Sequence, residues 1–471
     1  MKTDNRKIDL VKNTALLGFG KFSTFFMTFL ILPFITRSLT PGEYGLVDLL
    51  STYAIFLAPL LTLQTEMAVF RLLIDARTSK SEIQGIISAV IRILYSKTLP
   101  IVLLLLILGI VLQVPHLPYI AVYTGLLIIV SVLAQISRGL GRNTLFMIAS
   151  IVDVTTYALT ALLLVVLLNG GVEGLLLAMV LSQTARGLLL FIQLKLWRYV
   201  RSIRSGDRNL DKEMLTYSIP LIPNTIAWWV INMSNRTVLT AAIGTAANGI
   251  YAAASQFGNV FSNVFSVFQM ALMESASLHI DSKDKDKYFT DILRFAVRFF
   301  GFGVVVGVAT IPFVFNMIVG EEFRDAYQYI PLIAANACVG SVMGIYSAIY
   351  VAKKLTRQIA STTIVAACIN LVLVICFVGG LGIYAAALAT LFAFLFMAIY
   401  RYFDIQKYVR VRFEARILVI LAVVYAGVCW AYYIGTPQFL LASLIISIAV
   451  FLFMNRNLFS VLSRLVGRRA R

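Results

Sequence analysis

The chain has 471 residues, is 60% hydrophobic and only 13% charged, and carries a net charge of +18. A soluble domain is nearer half apolar and a quarter charged, and no stretch between the apolar runs reaches the ~50 residues of a small soluble domain. No basic domain stands apart, so the positive charge is not the footprint of a nucleic-acid binder, and the composition predicts an all-α integral membrane protein.

The N-terminal MKTDNRKIDLVKN leads into an apolar run ending near Arg37. A signal peptide has a shorter apolar core and a small-residue cleavage site, so this run reads as a retained first helix. A bilayer core of ~30 Å needs about 20 apolar residues per crossing. On that basis the predicted crossings are 10–37, 44–71, 83–113, 118–138, 143–168, 172–197 and 212–240, then 248–276, 288–319, 326–352, 356–378, 382–405, 413–434 and 438–455. These 14 transmembrane helices put both termini on one side.

Lys and Arg concentrate in one set of loops, from Lys2, Arg6, Lys7 and Lys12 through Arg198, Arg201, Arg204 and Arg208 to Arg468, Arg469 and Arg471. The opposite loops offer Arg37, Arg236 and Arg324. Positive residues mark the cytoplasmic side, so the expectation is a multi-pass protein of the plasma (inner) membrane with both termini cytoplasmic. Pro41, Pro115, Pro118 and Pro437 fall in outer loops. Pro33, Pro59, Pro100, Pro220, Pro223, Pro312 and Pro331 fall inside predicted helices, as packing kinks or as hinges. Cys338, Cys368, Cys376 and Cys429 lie in apolar segments without metal-type spacing, and His116 and His279 fall in loops. Neither a metal site, a disulfide framework nor a cofactor is expected.

The chain also resembles itself. SLTPGEYGLVDLLSTYA from Ser38 and AIGTAANGIYAAASQFG from Ala242 align Gly45 with Gly249, an offset of 204. Ile148-Ala149-Ser150 matches Ile359-Ala360-Ser361, and Asn169–Leu175 is similar to the stretch from Gly379 to Tyr384. Six crossings per unit is even, so the copies share one orientation, as in transporters with parallel repeats. The expected organisation is an N-lobe over 1–200, a basic cytoplasmic linker over 201–211, a C-lobe over 212–408, and two further helices with a basic tail over 409–471.

Three segments carry a family resemblance: Arg37-Ser38-Leu39-Thr40-Pro41-Gly42-Glu43-Tyr44-Gly45, Met67-Ala68-Val69-Phe70-Arg71, and the echo Asn248-Gly249-Ile250-Tyr251. In these the chain resembles the polysaccharide-type (Wzx-like O-antigen) flippases of the multidrug/oligosaccharidyl-lipid/polysaccharide exporter superfamily. The resemblance implies two six-helix lobes around a cavity that opens alternately to each side. It further implies a lipid-linked oligosaccharide cargo, moved from the cytoplasmic to the outer leaflet for surface polysaccharide synthesis; a scaffold role beside other glycan-assembly proteins stays open alongside transport.

A charge at the bilayer centre costs about 2.5–3.5 kcal/mol on insertion scales, so it faces a cavity or a partner. The first lobe holds Lys21, Asp48, Glu66, Arg92, Lys97, Asp153 and Arg186 at membrane depth; the second holds Arg236, Glu274, Arg294 and Arg298. Arginine offers phosphate a bidentate fork and lysine a compact charge. Lys21, Lys97, Arg186 and Arg236, with Arg37, are the candidate ligands for an anionic head group. Arg71, Arg92, Arg294 and Arg298 are within reach of the cytoplasmic interface and read as snorkelling. Glu66, Asp153 and Glu274 either neutralise these cations or carry a coupling ion. Asn224, Trp228, Trp229, Asn232 and Asn235 cluster beside Pro220 and Pro223, and suit either sugar contacts or helix packing.

Other readings stay open at this point. An ion-coupled multidrug/cation antiporter predicts an acidic cavity, whereas basic groups outnumber acidic ones here. A lipid-linked peptidoglycan-precursor flippase shares the 14 crossings. A membrane glycan polymerase or ligase needs a sizeable outer loop, and Val319–Asp325 is short. No G-x-x-x-x-G-K-[ST] motif is present, so uphill transport would draw on an ion gradient or on downstream consumption of the product. The expectation is a transporter and not an enzyme.

Overall fold

In a bilayer every backbone polar group must find an internal partner, and a helix does so within its own segment. The computed structural model of the chain describes residues 26–200 and 208–456, without the side chains at 199, 200, 208, 224, 274 and 278. The described residues are helical with short connections and no strand. The chain divides into two compact units with the boundary after Gly249.

The first unit contains α1 (Phe26–Ser38), α2 (Pro41–Leu61), α3 (Thr65–Asp75), α4 (Lys80–Val111), α5 (Leu117–Gly139), α6 (Asn143–Leu167), α7 (Gly171–Leu194), α8 (Arg208–Ser218) and α9 (Ile222–Ala242). Helix α10 (Thr245–His279) begins before the boundary and continues past it. The second unit contains α11 (Lys285–Ile318), α12 (Glu321–Ala352), α13 (Thr356–Leu381), α14 (Ile383–Ile405), α15 (Ala415–Ile434) and α16 (Pro437–Met454). Eleven described helices are long and apolar enough to cross a membrane: α2, α4 to α7 and α11 to α16. The chain is therefore a multi-pass membrane protein. The other three expected crossings fall on α1, which is described only from Phe26, and on α9 and α10, whose amides and hydroxyls dilute their apolar character.

Several expectations are corrected. The crossing expected at 44–71 is two helices, because Leu63 (φ 52°) and Gln64 (φ 57°) take left-handed conformations between α2 and α3. The crossing expected at 212–240 is broken at Ile219–Leu221, a tight turn where Pro220 and Pro223 cannot donate backbone hydrogen bonds. Pro41, Pro118 and Pro437 stand in the first turns of α2, α5 and α16, where a missing N–H costs nothing, and not in loops. The loop expected after Val319 is coiled into Glu321–Tyr329, the tight first segment of α12. His279 ends α10 and stacks on Tyr288 at 4.4 Å instead of lying in a loop.

Packing in the first unit centres on small and branched residues: Val69 and Leu73 of α3, Ile87 and Val90 of α4, Ile136 of α5 and Leu190 of α7 are buried together. Outward faces invert the soluble pattern; Ile110, Val111, Leu163 and Leu167 are exposed, as expected where lipid tails are the solvent. In the second unit α15 and α16 pack on α11, with the Phe299 and Phe451 rings 5.8 Å apart. Tyr327 and Tyr432 stack at 4.1 Å and each hydroxyl donates to the other's carbonyl, at 3.3 and 2.7 Å. That reciprocal pair fixes the end of α15 to the first segment of α12.

Candidate functional site

The connection into α2 is set by four residues. Glu43 Oε2 accepts from Thr40 N and Thr40 Oγ1, both at 2.9 Å, while Thr40 Oγ1 accepts from Glu43 N at 3.3 Å. This is a capping box with Pro41 in the first turn. It gives the Arg37–Gly45 segment its physical content: Thr40, Pro41 and Glu43 start the helix, and Gly45 then lets another backbone in. A Cβ on Gly45 would lie 1.9 Å from Thr245 O and 2.5 Å from Gly249 N. A Cβ on Gly249 would lie 1.9 Å from Pro41 O. The two glycines aligned by the internal similarity touch each other.

This close approach brings Asp48 to a cation. Arg236 Nε donates to Asp48 Oδ2 at 2.6 Å and its Nη2 to Oδ1 at 3.4 Å. Asn248 Nδ2 donates to Gly45 O at 2.7 Å and to Asp48 Oδ2 at 3.2 Å. Helix α9 then runs antiparallel along α2. Tyr53 OH and Thr237 Oγ1 are 3.1 Å apart, the Phe56 and Trp229 rings meet at 3.7 Å, and Gln64 Nε2 donates to Thr225 Oγ1 at 2.5 Å. Asn232 spends its amide on its own helix, donating to Trp228 O at 2.8 Å and accepting at its carbonyl from Arg236 Nη1 at 3.3 Å.

A second constellation joins α6 and α7. Arg186 Nη1 donates to Asp153 Oδ2 at 3.0 Å, and Gln183 Nε2 donates to both oxygens of the same carboxylate at 3.1 and 3.3 Å. Arg186 Nε and Gln183 Oε1 are buried and have no partner among the described residues. The cluster thus keeps one unused donor and one unused acceptor inside an apolar helix pair, a costly arrangement unless something else fills it. Glu66 is different: it is buried just past the left-handed pair 63–64, accepts from Thr62 Oγ1 at 2.6 Å, and has no cationic partner among the described residues. In a third ion pair, Arg92 of α4 grips Asp211 of α8, Nε to Oδ2 at 2.8 Å and Nη2 to Oδ1 at 2.5 Å.

Of the predicted site residues, Arg186 and Asp153 come together, and Arg236 meets a carboxylate not singled out as a ligand. Lys97 is exposed on the wide turn Leu94–Thr98 and forms no ion pair among the described residues. Arg37 is exposed at the end of α1. Trp228 is partly buried. Lys21 lies outside the described residues, as do the side chains of Asn224 and Glu274. Sequence reasoning missed Asn248, Asp211 and Arg401. Arg401 is fully buried in the second unit, donating to Thr362 Oγ1 at 3.0 and 2.9 Å, Thr363 Oγ1 at 3.1 Å and Ser347 Oγ at 2.7 Å. The signal was present as hydroxyls on α12 and α13, but it becomes legible only once those helices face α14.

Chemically, an arginine fork is a group that can hold an anion. Among the described residues no three His, Cys, Asp or Glu side chains converge as a metal site. The family model for polysaccharide biosynthesis proteins matches residues 10–273. No curated protein matches the chain. Among solved structures it is similar to the lipid II flippase MurJ in an inward closed conformation, with a TM-score of 0.68 at 16% identity over 95% of this chain and 99% of that one. It is also similar to a multidrug resistance MATE family transporter of the MOP superfamily, inward-facing (TM-score 0.61, 13% identity, 83% of this chain and 98% of that one). An outward-facing structure of such a transporter gives 0.58 at 15% identity over 87% and 96%. At these identities the likeness to solved structures is one of fold, whereas the family match spans more than half of the sequence. The chain belongs to the polysaccharide biosynthesis protein family and is a multi-pass membrane protein that shares the fold of these solved structures.

Proposed function

We propose that this protein is a flippase of the MOP superfamily that carries a lipid-linked oligosaccharide, a polyprenyl-diphosphate-linked glycan unit, from the cytoplasmic to the outer leaflet by alternating access. The observation that carries the reading is Arg186, a cation among membrane helices, held on one side by Asp153 and leaving Nε unpartnered among the described residues. A diphosphate fits such a group because it accepts the fork that a single carboxylate leaves incomplete. Arg236 is the second ligand, released to cargo when Asp48 gives it up. Lys21, Lys97 and Arg37 extend the cationic path, and Trp228, Asn224 and Asn232 meet the sugars. Glu66, Asp153 and Glu274 balance these charges or carry a coupling ion.

Two features support the repeat on which the mechanism rests. Gly45 and Gly249, 204 residues apart, are in backbone contact. The wide helical turns at Leu94–Thr98 and Val297–Gly301 begin 203 residues apart. The N-lobe 1–200 and C-lobe 212–408 would rock about these contacts, with 14 crossings and both termini in the cytoplasm of a plasma (inner) membrane. The family's description favours a polysaccharide unit over a peptidoglycan precursor, since the likeness to MurJ is one of fold. The test is the amount and sidedness of lipid-linked glycan in cells lacking the protein. Intermediate accumulating on the cytoplasmic side while surface glycan disappears, with rescue by the wild-type gene, is the expected result. Unchanged surface glycan with new sensitivity to cationic drugs would replace this reading with an antiporter.

A further inference from the structure

A cavity of about 600 Å³ opens between α11, α12, α14 and α15 of the second unit. Gly301, Ala335, Val342, Leu395, Ala398 and Leu421 are among its walls, which are almost wholly apolar. Its depth is that of one leaflet: from Ala335 to Tyr346 along α12 is about 16 Å at 1.5 Å per residue, against half of a ~30 Å hydrocarbon core. One end of it is marked by Phe413. There Val297, Phe413 and Leu418 are shared with a depression lined by Arg294, Arg412 and Glu414. Glu414 is already engaged, accepting from Arg298 Nη2 at 3.3 Å and paired with Arg294. The Arg412 guanidinium is exposed and has no hydrogen-bond or ion-pair partner among the described residues.

At this end is an unused donor. Tyr346 is fully buried, lines the cavity, and its hydroxyl has no partner among the described residues. Its ring lies 6.5 Å from Phe413 and 6.4 Å from Tyr402, which places it at the cationic end of the groove. A buried hydroxyl without a partner is uncommon and points to a group that completes it.

We infer that this groove binds an anionic phospholipid that is not the cargo: phosphate at Arg412, an ester carbonyl accepting from Tyr346, and one acyl chain along the apolar wall. The order of features selects the class. Cation, hydrogen-bond donor and leaflet-deep apolar slot match phosphate, glycerol ester and fatty acyl chain in the order a phospholipid presents them. A polyprenyl carrier has no ester carbonyl and would leave Tyr346 unpaired. The lipid would fill the space between α15 and the rest of its unit. Its leaflet rests on the orientation proposed above, but its binding does not.

The experiment is native mass spectrometry of the full chain purified in mild detergent, titrated separately with dioleoylphosphatidylglycerol, dioleoylphosphatidylcholine and a polyprenyl phosphate. Phosphatidylglycerol should be retained in one copy over phosphatidylcholine. Arg412→Ala should weaken it about fivefold, the worth of one basic residue at an anionic surface. Tyr346→Phe should weaken both phospholipids severalfold, and Ala422→Trp, a filling of the cavity wall, should abolish the retained copy. Circular dichroism melts run beside each variant separate lost binding from lost fold, and Arg412→Ala changes only an exposed side chain. Equal retention of the two phospholipids, unchanged binding in the Arg412 and Tyr346 variants, or displacement of phosphatidylglycerol by the polyprenyl phosphate would each overturn the inference.

Discussion

Replacing Asp48 with asparagine tests the contact that ties α2 to α9. The Asp48 and Arg236 side chains are 14% and 18% exposed, so water screens their attraction only in part. In Asp48→Asn the amide keeps the size and an oxygen for Asn248, but it takes from Arg236 the carboxylate that balances its charge. Removing one partner of a buried pair costs about 3–5 kcal/mol; with the residual exposure here, about 2–4 kcal/mol is expected. Arg236→Gln should cost a similar amount, because it strands Asp48. The double variant strands neither charge and should be less damaging than the sum, with a coupling energy of about 1–3 kcal/mol. The assay is a double-mutant cycle on reversible unfolding of the purified protein in mixed micelles. Costs that add to within about 0.5 kcal/mol would mean that the two groups do not interact, and the account of this site as a latched ion pair would fail.

Three further outcomes follow from particular residues. Gly45→Ala places a methyl within 1.9 Å of Thr245 O; overpacking usually costs about 1–3 kcal/mol and backbone cannot yield as a side chain does, so the melting temperature should fall clearly, and an unchanged melt would contradict the crossing at Gly249. Arg186→Ala should cut delivery of glycan to the outer leaflet at least tenfold with folded protein still in the membrane, as should Lys21→Ala, while normal transport in both variants would remove the cationic path. Arg401→Lys should destabilise the second unit by about 2 kcal/mol, because one ammonium cannot reach Thr362, Thr363 and Ser347 together; an unchanged unfolding free energy would show that the fork is dispensable.

Helix positions were legible because the bilayer leaves few alternatives. The crossing expected at 118–138 is Leu117–Gly139, and that expected at 382–405 is Ile383–Ile405. Breaks within helices were not legible. Leu63 and Gln64 are ordinary helix formers, and what turns them left-handed is tertiary, including the Gln64 bond to Thr225. Pro220 and Pro223 were visible as kinks, but a proline alone does not say whether a helix bends or stops. Charges were visible and their pairing was not. Asp48 and Arg236 stand 188 residues apart and Arg92 and Asp211 stand 119 apart, and a single sequence carries no sign of which carboxylate meets which cation. Arg401 gives no signal of its own because it sits near a helix end, where an arginine usually reaches the interface; here hydroxyls on α12 and α13 hold it inside instead.

The paired state of these cations bears on how an anionic head group could be carried at all. A lone arginine among membrane helices would cost about 2.5–3.5 kcal/mol on insertion scales, and it would also hold a diphosphate too firmly to release it. Pairing Arg186 with Asp153 and Arg236 with Asp48 lowers both effects. Under the proposed exchange, the net affinity for cargo is then the difference between two charge-assisted contacts, phosphate replacing carboxylate, and not the full worth of either. Such a difference is small and reversible, which suits a carrier that must load on one face and unload on the other. Under the same proposal the freed carboxylate is part of the cycle: each time cargo takes an arginine, Asp153 or Asp48 loses its cationic partner. Were a coupling ion to take the arginine's place at that carboxylate, as the proposal allows, cargo loading and ion uptake would be linked through the same side chains, and a gradient of that ion would bias the direction of travel.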